Sequence, residues 1–98
     1  MHESDKRATD LAALIRKTVP GATAIARPAG SGRGAKVDAW AGGHEISIIS
    51  DGYGKHSGLW EAWIPTAQPE PVGWLDPSEV CTYIRDTTHH TEREDTTP

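Results

Sequence analysis

Apolar residues near the N-terminus recur at helical spacing: Ala8, Leu11, Ala12, Leu14 and Ile15 share one face, with Lys6, Arg7, Asp10, Arg16 and Lys17 mostly off it. The spacing predicts a helix over 5–18. Arg16 and Lys17 suit its C-terminus, where unpaired carbonyls carry partial negative charge, and Val19-Pro20-Gly21 stops it. The apolar period then shortens to two. Residues 22–27 predict a short strand of weak propensity, and Pro28-Ala29-Gly30-Ser31-Gly32-Arg33-Gly34 predicts a mobile connection.

The clearest hairpin joins 35–41 to 44–50 through Gly42-Gly43, two residues that tolerate positive φ at both turn positions. Its register follows from the turn. Ala39 faces Ile46 and Val37 faces Ile48 on one side; Trp40 faces Glu45, Asp38 faces Ser47 and Lys36 faces Ile49 on the other. The segment 59–64, Leu-Trp-Glu-Ala-Trp-Ile, predicts a further strand. Trp60 and Trp63, three residues apart, therefore point to opposite faces of the sheet.

Residues 65–72 hold three prolines and read as an extended crossing segment. Asp76-Pro77-Ser78-Glu79 is a strong helix start, with Asp at the N-cap, Pro at the first helical position and Glu at the third. Val80, Ile84 and either Cys81 or Tyr83 supply its buried stripe, and its end falls near Asp86 or Thr87. These elements predict an α+β domain over 1–87: a helix, an antiparallel sheet of about four strands and a C-terminal helix, in the order α-β-β-β-β-α. Residues 88–98 are polar and unpatterned and read as a disordered tail.

Composition narrows the function classes. Four Trp and no Phe in 98 residues leave little apolar material, so a large ring on the second sheet face calls for a cover: a packed element, a second copy or a partner. Cys81 is the single cysteine, which excludes an intramolecular disulfide and fits a reducing compartment. No apolar run approaches membrane-spanning length and the opening residues lack a signal-peptide core, so the reading is a cytoplasmic protein without membrane association. The net charge of −4 disfavours nonspecific binding to duplex nucleic acid. The absence of Asn and Phe beside abundant Ala, Gly, Thr, Asp, Arg and Pro has the bias of a GC-rich genome.

Candidate chemistry is sparse. The segment 27–36 is neither a Walker A loop nor GxGxxG, and it joins two strands instead of opening a helix; if it holds phosphate, Arg27, Arg33 and Lys36 are the contacts. An enzyme would have to use His44, Glu45, Asp51 and His56, yet His44 and His56 flank a strand and lie some 17 Å or more apart, which argues against a shared metal. No HExxH, CxxC or GxSxG occurs, so neither a metal nor a cofactor is expected. The helix-strand-helix order suggests a double-stranded-RNA-binding domain, but the second helix opens with Asp76 and Glu79, which repel phosphate. What remains is aromatic: Trp40, Ile49, Leu59 and Trp63 fall on the face opposite the helices, either as a partner-binding surface or beneath residues 65–74 folded back over it.

Tyr53-Gly54-Lys55-His56-Ser57-Gly58-Leu59-Trp60-Glu61 and Val72-Gly73-Trp74-Leu75, followed by Glu79-Val80, resemble a pattern in small uncharacterised proteins of actinobacteria and their phages, where YGxxxGLWE precedes VxGWL. The resemblance covers about a third of the chain and implies a compact α+β accessory domain with no catalytic residues. The resulting expectation is a noncatalytic interaction protein, phage or prophage encoded and acting in the host cytoplasm. It binds itself, as a homodimer, or a host protein. The alternatives are a nucleic-acid-associated protein using 27–36 and a small enzyme using His44, Asp51 and His56.

Overall fold

A computed structural model describes residues 3–27, 34–50 and 58–96. Helix α1 spans Glu3–Thr18; strands β1 (Thr23–Arg27), β2 (Ala35–Ala41), β3 (His44–Ser50), β4 (Trp60–Trp63) and β5 (Val72–Leu75) follow, and α2 spans Pro77–Thr96. The fold is α+β. All five strands pair antiparallel in chain order, β1-β2-β3-β4-β5. Helix α1 packs over β1 and β2, α2 over β4 and β5, and the helices touch each other.

Alternation decides which side is core. Ala35, Val37, Ala39 and Ala41 of β2, Ile46 and Ile48 of β3, and Trp60 and Ala62 of β4 are buried beneath the helices, where they meet Ala8, Leu11, Ala12 and Ile15 of α1 and Val80, Cys81 and Ile84 of α2. The small side chains of β1 and β2 let α1 sit close, while Trp60 and the isoleucines fill the space nearer α2. Trp60 is 1% exposed and lies under the Arg7 guanidinium, 5.1 Å from the ring centroid. Arg7 also donates to the buried Ser50 Oγ at 2.9 Å, so a single α1 side chain caps the tryptophan and satisfies a core hydroxyl. At the other end of α1, Arg16 donates to the Ala24 carbonyl at 2.7 Å and ties the helix to β1.

The β2–β3 register is the one the Gly42-Gly43 turn predicts, with Ala39 opposite Ile46, Val37 opposite Ile48 and Lys36 opposite Ile49. Both turn glycines have positive φ, +57° and +82°. The reciprocal cap of α2 also forms: Glu79 N–H donates to Asp76 Oδ1 at 2.8 Å and Asp76 N–H donates to Glu79 Oε1 at 3.0 Å.

Two features depart from expectation. Residues 72–75, read as a lead into the second helix, form a fifth strand, with Leu75 opposite Trp60 and Val72 opposite Ala62 and a register shift between. All three prolines of the preceding segment lie before this strand, so none interrupts its pairing. Helix α2 continues to Thr96, past the expected end near Asp86 or Thr87 and into the segment read as a disordered tail. A nucleated helix extends at little cost per residue, and no Pro or Gly follows until Pro98. Thr88 is buried, and its hydroxyl donates to the Ile84 carbonyl at 2.8 Å. It packs beside Gly42, where an added Cβ would stand 3.2 Å from Thr88 Cβ.

Two substitutions test this packing by urea denaturation. Trp60→Ala is expected to cost about 3–5 kcal/mol, the range of large aromatic truncations in a core. Gly42→Val crowds Thr88 and places a β-branched residue at φ +57°, so a loss of more than about 1 kcal/mol is expected.

Candidate interaction surface

The face turned away from the helices is a grid of side chains set by the strand registers. One row across β1, β2 and β3 runs Thr23, Trp40, Glu45; the next, reaching β4, runs Ile25, Asp38, Ser47, Trp63; the third runs Arg27, Lys36, Ile49, Glu61. Gly73 of β5 extends the third row, since a Cβ on it would touch the Glu61 side chain.

Among the described residues the exposed large hydrophobics are Ile25 (43%), Ile49 (44%), Trp63 (36%) and Trp74 (36%), and the registers place the first three on this face. Trp40 is half-buried within the grid. Leu59 is half-buried one residue before β4, outside the paired register. The expected cluster is thus spread out: Trp40 and Trp63 sit in different rows with β3 between them, and Ile25 joins the surface. The short Thr23–Arg27 strand hid Ile25, because no tight turn fixes its register; its signal is a lone large side chain alternating with the inward Ala24 and Ala26.

Residues 65–71 turn at the end of β4 and lead back into β5 at the sheet edge. They reach the face through the Gln68 carbonyl, which accepts the Trp63 indole N–H at 3.0 Å. That bond satisfies the polar edge of Trp63 and leaves its apolar ring surface facing outward.

Charge on the face is mixed. Asp38 accepts from Arg27 Nε at 3.1 Å and stands 3.9 Å from Lys36 Nζ. Two of the three cations suggested for phosphate therefore share a single carboxylate, and Arg33 lies outside the described residues. Of the residues an enzyme would use, His44 Nδ1 is engaged with Thr66 Oγ1 at 2.6 Å and Glu45 is exposed on the sheet face. Asp51 and His56 lie outside the described residues. Among the described residues no three His, Cys, Asp or Glu side chains group at metal-binding range, and no helix is long and apolar enough to cross a membrane.

Among the described residues two open clefts lie on the helix side. One of about 430 Å³ is lined by Leu11, Leu14, Gly58, Trp60 and Pro77 with Arg7 and Asp10 at its polar margin; the other, about 200 Å³, lies between the helices beside Cys81. Neither gathers a nucleophile with a base. No protein-family model, no curated protein and no solved structure matches the chain.

One buried polar atom stands apart from this surface. The Tyr83 hydroxyl is buried without a hydrogen-bond partner among the described residues. Burial pushes its phenol pKa up, and the neighbouring Ile64 backbone opposes the shift only in part. The folded state thus holds the neutral phenol, whereas the unfolded phenol ionises near pH 10. Stability is whole below that value and falls as pH rises through the higher folded pKa. Tyr83→Phe is expected to leave neutral-pH stability unchanged or raised by up to about 1 kcal/mol. Parallel denaturation from pH 7 to 11 should show a shallower alkaline loss for the variant than for the wild type.

Proposed function

We propose that this chain is a noncatalytic interaction protein whose working surface is the outer face of the sheet, and that it takes a protein there, either a second copy or a host protein. The observation that carries the reading is the gathering of the exposed Ile25, Ile49 and Trp63 on one side of the sheet in a chain with little apolar material. Leaving such side chains in water forfeits burial worth about 1.5–3 kcal/mol for each fully covered side chain, and association recovers part of it. Aromatic anchors within a charged rim are the composition that protein interfaces favour. Binding through Trp40, Ile49 and Trp63 fits this reading. So does Leu59 at the margin.

The resemblance to small actinobacterial and phage proteins supports a phage or prophage origin and action in the host cytoplasm as part of the same proposal. Phosphate or nucleic-acid binding through Arg27 and Lys36 is disfavoured by their pairing with Asp38.

The test compares wild type with Trp63→Lys. The melting temperature should change little, because the ring lies outside the core, while self-association and capture of a host protein should both fall at least tenfold. An equal loss of fold and association would place Trp63 in the core and end the proposal.

A further inference from the structure

Resting on that reading, the outer face fits one occupant, a second copy of this chain. The arrangement of the grid singles it out. When two such faces are stacked about a twofold axis parallel to the strands and running between β2 and β3, each row meets itself reversed: β1 lies over β4 and β2 over β3. In the middle row Ile25 then covers Trp63 of the second copy and Asp38 meets Ser47. In the third row Arg27 meets Glu61, and the Lys36 stem lies over Ile49. Trp40 meets Glu45. In the middle and third rows each apolar side chain finds an aliphatic or aromatic surface, and the fully charged contact joins opposite signs.

Two other ways of stacking lack this match. An axis running across the strands sets Asp38 on Asp38 at the centre, and an axis along β3 sets Glu45 on Glu45; either buries two like charges. Of these, only the axis between β2 and β3 is free of such a contact, and it is also compatible with the aligned packing that twisted sheets adopt. Arg27 can serve Asp38 of its own chain and Glu61 of the other, because a guanidinium carries five donors.

We infer that the protein forms a face-to-face homodimer in which Ile25–Trp63 and Arg27–Glu61 contacts each occur twice about this axis. Four strands at about 4.8 Å spacing and five residues of length give a face of roughly 300 Å² in projection, below the ~800 Å² per partner of standard stable interfaces. The dimer is therefore weak and concentration-dependent.

The test is sedimentation of wild type, Arg27→Glu and Glu61→Arg up to about 1 mM, a range in which weak self-association is populated. Wild type should dimerise, and each variant alone should dimerise at least tenfold more weakly, since each sets two like-charge contacts across the axis. Mixed in equal amounts, the two variants should regain the dimer. The carboxylate introduced at position 27 of one copy then meets the guanidinium introduced at position 61 of the other, while the native Arg27 and Glu61 still pair. Should Arg27→Glu not fold, Ile25→Asp mixed with Trp63→Lys makes the same test through the apolar contact. A wild type that stays monomeric at ~1 mM, or variants that weaken but do not rescue each other, would overturn the geometry. If wild type is monomeric while capture of a host protein still depends on Trp63, self-pairing fails and the interaction reading stands. If dimers persist regardless of Trp63, both fail.

Discussion

Burial of Trp60 is the interaction on which the rest of the structure depends. In a chain without Phe it is the largest fully buried side chain among the described residues, and it connects parts that are distant in sequence: Arg7 of α1 covers it, Leu75 of β5 pairs opposite it, and its cleft reaches Pro77 at the start of α2. Placing this ring inward leaves no freedom for the rest of its strand. Alternation turns Ala62 inward and Glu61 and Trp63 outward, and the β3–β4 register carries the same division to Ile48 and Ile49. The outward aromatic is thus a consequence of how the inward one is held.

The outer face shows the corresponding economy. Its charges are interleaved with its apolar groups, and Asp38 lies between two cations, so the surface has neither the uniform field that attracts a polyanion nor an unbroken greasy area. Trp63 gives its one polar atom to the Gln68 carbonyl of its own chain and presents only ring surface outward. A residue so prepared contributes contact area with little polar desolvation. His44, engaged by Thr66 at the end of the sheet, is occupied in holding the turn after β4 near the start of β3.

Much of this was legible in the residues because local rules and long-range packing agree there. Gly42-Gly43 admits one tight hairpin, and the inward alternation of Val37, Ala39, Ile46 and Ile48 admits one register for it. Asp76, Pro77 and Glu79 specify a helix start by hydrogen bonds that span only three residues. The parts that were not legible are those where neighbours in space decide. Val72–Leu75 becomes a strand because β4 offers an edge; its own composition, with Gly73 in the middle, favours no such state. The end of α2 is set by a run without helix breakers, and the burial of Thr88 follows from a turn made far earlier in the chain. Ile25 joined the surface only once β1 had a partner.

The sheet order β1-β2-β3-β4-β5 repeats the chain order. Each strand pairs with the one made just before it, so no pairing has to wait for a distant segment or close a long loop. Topologies of this local kind pay their entropy in small instalments and fold quickly for a β-containing domain. The exception is α2, which follows all five strands in the chain and supplies Val80 and Ile84 to the core. Until residues 77–88 are made, the inner face of the sheet has only α1 to cover it, so a chain shortened before that point would hold an assembled meander with part of its core open and a strong tendency to aggregate.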